Sequence, residues 1–277
     1  MAEPFYRPRS VPEAVSLKRR LKGRGVYLAG GTGLNSGASP ARAECYVSLA
    51  ALKLDRIVAA QGKVTIGAGC TLQQLLEDRK VPPPLRAAVG WVASRNIRNA
   101  ATLGGHVACA QPHSDILPML VALEAALTVA GPAGSRTVPL LDYLRAPAAG
   151  LIIKIVIPAA RGRLAACGSF RASTNARSLV TAAVSLARGR SGIEDPIVAV
   201  GGVAPRVARL APVEAALGGR PLPPPEEIAA LVSRHVKPAA DAFATAEFKR
   251  YQAGVLVARA FQDALARPAA RRREARP

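Results

Sequence analysis

Aromatic residues are scarce in this chain: five Phe, five Tyr and one Trp make up 4% of its 277 residues. So few rings argue against a surface built from base-stacking platforms. Cysteine is sparser still. Cys45, Cys70, Cys109 and Cys167 are widely separated and form no C-x-x-C pair, which excludes the common zinc spacings and an iron–sulfur cluster of the chain's own. Free thiols fit a reducing compartment, and the expected location is cytoplasmic. No uninterrupted apolar run reaches membrane-spanning length and the start, MAEPFYRPRSVPEAV, lacks an apolar leader, so no membrane association is expected. The only histidines, His106, His113 and His235, are scattered. No Ser-His-Asp set, carboxylate pair or metal-ligand cluster is legible. No catalytic residue and no metal ligand is therefore assigned.

Negative charge is also short, with 18 Asp+Glu against 38 Lys+Arg and a net charge of +20. Such a balance ordinarily points to nucleic acid, an anionic surface or an acidic partner. Here the charge is mostly arginine in an Ala/Pro/Gly/Arg-rich composition, which spreads cations over a surface without any polyanion. No nucleic acid is expected among the partners.

What the chain does have is apolar content. At 50% hydrophobic it can bury a core of one large or two modest domains. A helix is expected from Val11, with Pro12 and Glu13 in its first turn, and a strand over residues 26–29. An alternating strand follows at 63–69, and a helix capped by Thr71. A hairpin is expected around Gly131-Pro132-Ala133-Gly134 and a strand over 151–157. Residues 159–163 read as a boundary. Beyond it, 167–171 is strand-like, 178–187 reads as an apolar helix, and 196–204 pairs with 206–210. Helices are expected over 212–217, 225–235 and 246–266. In the last, Phe248, Tyr251, Val255 and Phe261 recur at near-helical spacing and are expected to pack in the core.

Two glycine-rich stretches interrupt this apolar framework. The first, Gly30-Gly31-Thr32-Gly33-Leu34-Asn35, follows the strand of Val26-Tyr27-Leu28-Ala29 directly and presents several N–H groups at one sheet edge, a geometry suited to a pyrophosphate. It has neither the G-x-G-x-x-G spacing nor a closing Gly-Lys-Ser/Thr, and an ordinary glycine turn accounts for it equally. The second runs through Ala101-Thr102-Leu103-Gly104-Gly105-His106 to Ser114-Asp115. Paired glycines let backbone approach a ligand closely, and Thr102, Ser114 and Asp115 add two hydroxyls and a carboxylate suited to sugar hydroxyls. A tight turn followed by a helix capped at Ser114 or Asp115 explains the same residues, so both readings stand on local sequence.

In order and together, four segments resemble the FAD-binding medium subunit of the molybdenum hydroxylases, the xanthine dehydrogenase and carbon monoxide dehydrogenase family. They are YLAGGTGLN, RNIRNAATLGGHVACAQPHSD, AVGGVAPRVARL and ATAEFKRYQAGVLVARA. The resemblance implies an α+β fold: a two-subdomain FAD-binding module over 1–160, divided near 52/53, then a small C-terminal α+β domain over 164–267 and a basic tail at 268–277. It implies that main-chain N–H groups of Leu28, Ala29, Gly30, Gly31, Thr32, Gly33, Leu34 and Asn35 hold the FAD diphosphate, joined by Ala101, Thr102 and Gly105. Ser114 and Asp115 would meet ribityl or ribose hydroxyls. Leu151 and Ile152 fall at apolar positions near the adenine, and Arg171 near a family lysine that contacts the flavin.

The family asparagine after the paired glycines is His106 here, the acid after G-G-T is Gly33, and Cys109 replaces a threonine or alanine. Both His106 and Cys109 belong to the expected cofactor-binding set. The expected partners are a molybdopterin-binding large subunit and a small subunit with two two-iron two-sulfur clusters. The final acceptor stays open among NAD, oxygen and another carrier. Two other classes stay open as well: a stand-alone flavin oxidoreductase of the same fold, and a non-catalytic basic protein that binds nucleic acid or scaffolds a complex.

Overall fold

The computed structural model describes residues 4–36, 43–147, 149–159, 162–174 and 176–266. The chain divides into two compact units, Met1–Gln111 with Glu124–Pro158, and Pro112–Leu123 with Ala159–Pro277. The expected basic tail lies outside the described residues, as does part of the expected boundary at 159–163.

The first unit opens with β1 (Phe5–Tyr6), α1 (Val11–Arg20), β2 (Gly25–Leu28) and β3 (Cys45–Ser48). These strands make a parallel sheet in the order β1-β3-β2. Ser10 caps α1 by accepting from the Glu13 N–H, with Pro12 in the first turn. Next come β4 (Ile57–Ala60), β5 (Lys63–Gly67) and four short helices, α2 (Leu72–Glu77), α3 (Pro83–Gly90), α4 (Arg95–Ala100) and α5 (Leu103–Cys109). Thr71 and Gln74 form a reciprocal capping box on α2. The chain then contributes α6 (Leu117–Ala122) to the second unit. It returns with β6 (Ala126–Gly131), β7 (Gly134–Pro139), α7 (Leu140–Arg145) and β8 (Leu151–Pro158). An antiparallel five-stranded sheet results, in the order β4-β5-β8-β6-β7.

The second unit combines α6 with β9 (Arg163–Phe170), β10 (Val180–Arg188), β11 (Ile193–Gly201), β12 (Ala208–Arg209), α8 (Ala211–Leu217), α9 (Pro225–His235) and α10 (Ala246–Ala266). Its sheet is antiparallel in the order β12-β11-β10-β9. The apolar helix expected over 178–187 is instead β10, and the reason is its position. It lies between β9 and β11 and is buried along nearly its whole length, so both faces are covered and only Thr181 and Ser185 interrupt a mostly apolar run, which weakens the period-2 signal. Alternation survives in the contacts. Val180, Ala182, Val184 and Leu186 join the core that holds Leu256, Val257 and Phe261 of α10. Thr181 and Ser185 point the other way and donate to the carbonyls of Ser114 (3.1 Å) and Ala122 (2.5 Å).

The expected aromatic stripe on α10 is also corrected. Phe261 is fully buried, but Tyr251 is 62% and Phe248 36% exposed. The buried face also carries Leu256 and Val257 beside several small residues, and at Gly254 α9 approaches closely: a Cβ there would lie 2.6 Å from the Ala229 carbonyl oxygen. No helix of the described residues is long and apolar enough to cross a membrane.

Candidate functional site

In the first unit the chain leaves β2 at Leu28 and turns. Gly31 has φ +68°, left-handed backbone that favours glycine. Its carbonyl accepts from the Asn35 N–H at 2.9 Å, and the Gly33 carbonyl accepts from both the N–H and the hydroxyl of Ser36. The N–H groups of residues 29–34 have no acceptor among the described residues. Residues 30–34 are half-buried, so a run of backbone donors gathers at a sheet edge, as anion-binding concavities require.

The two glycine stretches meet here. A Cβ on Gly30 would fall 1.7 Å from the Ala100 carbonyl oxygen, and one on Gly33 would fall 2.9 Å from Cys109 Sγ. Gly30 is therefore a contact glycine, needed for backbone to pass against backbone.

The second stretch is organised differently. The Ala101 N–H donates to the Ile97 carbonyl, those of Leu103 and Gly104 to the carbonyls of Cys70 and Ala68, and that of His106 to the Thr102 carbonyl. Thr102 Oγ1 accepts from the Gly105 N–H at 3.1 Å as the cap of α5. Most donors here hold the fold, and the Thr102 N–H is the one in 101–106 without an acceptor among the described residues. Gly104 earns its place by packing, since its Cβ would lie 2.6 Å from Ala68 Cβ. Arg98 braces the approach, donating to the carbonyls of Val92 and Ala93 and to Gln73 Oε1. His106 is half-buried and Cys109 exposed. Leu151 and Ile152 are both buried in β8, Leu151 within a core containing Val15, Leu17 and Val47.

In the second unit, Ser114 is buried and its Oγ accepts from the N–H groups of Ile116 and Leu117, opening α6. Asp115 is the centre of a polar cluster. Its Oδ1 accepts from Ser178 Oγ at 2.6 Å, Ser169 Oγ at 3.0 Å and an Arg171 guanidinium N–H at 3.1 Å. Arg171 also donates to Ser169 at 2.9 Å. Burial pushes the Asp115 carboxyl above the usual range, opposed by Ser178, Arg171 and Ser169. His113 is lowered to about 4 by burial and then by Arg177, with Asp241 opposing. Ser169 and Ser178 escaped the sequence reading because they lie far from Asp115 along the chain. Among the described residues no group of three His, Cys, Asp or Glu side chains is placed to hold a metal.

The chain thus offers a parallel and an antiparallel sheet whose glycine stretches touch at Gly30 and Ala100, followed by a smaller α+β unit. Residues 1–160 match the FAD binding domain in molybdopterin dehydrogenase, and residues 166–264 the CO dehydrogenase flavoprotein C-terminal domain. An uncharacterized protein, YgfM of Escherichia coli, is 36% identical over 95% of this chain and 96% of its own. The carbon monoxide dehydrogenase medium chain of Hydrogenophaga pseudoflava is 28% identical, covering 95% of this chain and 97% of that one. A carbon monoxide dehydrogenase structure from the same organism superposes with TM-score 0.90 over 96% of this chain and 99% of its own, at 28% identity. The chain belongs to the FAD-binding medium subunits of the molybdenum hydroxylase family, as the four sequence motifs implied.

Proposed function

We propose that this chain carries electrons through FAD, from the iron–sulfur clusters of a small partner subunit to NAD or another acceptor, while a molybdopterin-binding large subunit oxidises the substrate. The relationship to a medium chain supports the multi-subunit setting, and cysteines that form no disulfide among the described residues support a reducing, cytoplasmic one.

The observation that carries the reading is the run of backbone donors at residues 29–34, with Thr102 beside Ala101 on the stretch that Gly30 touches. These donors fit the two negative charges of a diphosphate, and their direction is set by Gly31 and the turn it starts. Residues 29–34 and Thr102 would hold that group, with Leu28 leading into the turn and Asn35 closing it through its N–H to the Gly31 carbonyl. Ala101 and Gly105 would act by shaping the loop, because their own N–H groups are engaged. His106 and Cys109 would border it at α5, and Ser114 would fix the start of α6. Asp115 and Arg171 would present a neutralised, hydrogen-bonded pair to the cofactor's polar groups. Leu151 and Ile152 would back the site from the core. The flavin would supply the one- and two-electron chemistry, and the polypeptide its position and electrostatic surroundings.

The test is cofactor retention. Gly31→Val places a branched side chain at a left-handed position and should remove bound FAD, read from visible absorbance after purification and from the thermal shift of apoprotein on adding FAD. Circular dichroism reports whether the variant remains folded. Stoichiometric FAD in a folded Gly31→Val protein would overturn the loop assignment.

A further inference from the structure

Of the large hydrophobic side chains left exposed, three lie within nine residues of the second unit: Phe243 at 73%, Phe248 at 36% and Tyr251 at 62%. In a chain this poor in aromatics the concentration calls for a physical reason. Phe248 and Tyr251 are three apart on α10 and so share a face. Phe248 is anchored from below by an edge-on contact with Phe170, ring centroids 5.2 Å apart.

Phe243 is held out by a built turn. Asp241 Oδ1 accepts from the N–H groups of Phe243 and Ala244. Its Oδ2 accepts at 2.5 Å from Lys249 Nζ, which also donates to the Ala239 carbonyl. Lys249 is only 5% exposed. A buried ammonium is costly unless fully partnered, and here its partners fix the turn that displays the ring. Rings displayed on rigid backbone lose little entropy on binding.

The rim is cationic. The Arg250 carbonyl accepts from Ser233 Oγ at 3.3 Å, which brings the end of α9 beside it. Arg234 and Lys237, at and just beyond that end, are exposed, as is Arg250 itself. None of the three pairs with a carboxylate among the described residues. Aromatic anchors with arginine at the edge are the composition of protein-binding hot spots.

We infer that this face, Phe243, Phe248 and Tyr251 with Arg250, Arg234 and Lys237, docks a partner subunit of the complex through an apolar socket rimmed by carboxylates. The inference rests on the multi-subunit reading above. A second copy of this chain fits poorly, since each copy carries +20 and the rims would repel.

The experiment uses the complex purified through a tag on this chain. Two variants are compared with wild type: the triple change Phe243→Ser, Phe248→Ser and Tyr251→Ser, and the single change Arg250→Glu. Phe5→Ser, at a ring exposed in the first unit, is the control. The triple variant should retain at least about tenfold less of one partner subunit in gel filtration, as loss of a hot-spot cluster requires. Arg250→Glu should weaken retention most at low salt. FAD content should stay at wild-type values in all three, with the thermal midpoint lowered only in the triple variant, which loses the Phe170–Phe248 contact.

Partner retention unchanged in both variants would overturn the inference. So would a flavin-loaded wild-type chain that brings no subunit with it. Loss of self-association by the triple variant would assign the face to a second copy, and loss of binding to a single-stranded DNA probe would assign it to nucleic acid; either result overturns the proposal. A complex that lacks FAD yet loses its partner in the triple variant would uphold the docking face and reject the flavin reading.

Discussion

Gly30 packs so tightly on Ala100 that a Cβ at residue 30 would sit 1.7 Å from the Ala100 carbonyl oxygen. Two stretches about seventy residues apart thus share one backbone contact, and the obstacle is main chain, which cannot swing aside as a side chain does. Gly30→Ala should lower the stability of the apoprotein by about 1–3 kcal/mol, the range for overpacking, and reduce FAD retention with it. Gly105→Ala, whose Cβ would meet only the Thr102 hydroxyl at 3.0 Å, should be milder. Denaturant midpoints of the two apoproteins compare them, and equal midpoints would contradict the contact.

Removing Asp115 should cost more than removing a hydrogen bond to a cofactor. The side chains of Arg171 and Asp115 are only 14% and 11% exposed, and Asp115→Ala leaves the guanidinium buried without its counter-ion. A loss of about 3 kcal/mol is expected in the cofactor-free chain. The double variant Asp115→Ala with Arg171→Met should recover most of it. A double variant no more stable than the single one would show that the pair is not the source.

The pH dependence on the acid side should carry a contribution from His113. Its folded pKa is about 4 against an ordinary 6.5, so between those values the unfolded chain binds the proton and the folded chain does not. Stability from this group is complete above about 6.5 and falls as pH drops toward about 4. The raised Asp115 carboxyl has the opposite sign: protonation on acidification relieves its burial, so it cannot cause this loss. His113→Gln should flatten the fall in thermal midpoint across that window. A variant whose midpoint falls as steeply as wild type would rule His113 out.

Glu214 joins three elements of the second unit. It accepts from both Nε and a terminal N–H of Arg209 and from the Val198 N–H at 2.9 Å. Glu214→Ala leaves the buried Val198 N–H without its acceptor and removes the ion pair to Arg209, whose side chain is 34% exposed, with an expected loss of about 1–3 kcal/mol. Glu214→Gln keeps an acceptor for Val198 and should lose less. Equilibrium unfolding of both variants orders them, and the reverse order would sink this account.

Much of this protein was legible in its residues because the signals are local. Ser10 with Pro12, Thr71 with Gln74, and the prolines opening α8 and α9 mark helix starts through chemistry within four residues of each cap. The glycine stretches and their order along the chain were sufficient for the family. What the sequence could not determine depends on neighbours distant in the chain. Residues 178–187 are mostly apolar, a pattern that a buried helix and a central strand share, and pairing with β9 and β11 decides for β10. The aromatics of α10 match a helical core stripe, yet of Phe248, Tyr251 and Phe261 only Phe261 is buried, and the close approach to α9 falls at Gly254. Which backbone donors remain for a ligand is likewise decided by tertiary structure. The α5 donors are taken by Ala68, Cys70 and Thr102 while those at 29–34 are not, because a hydrogen bond depends on where the acceptors come to lie.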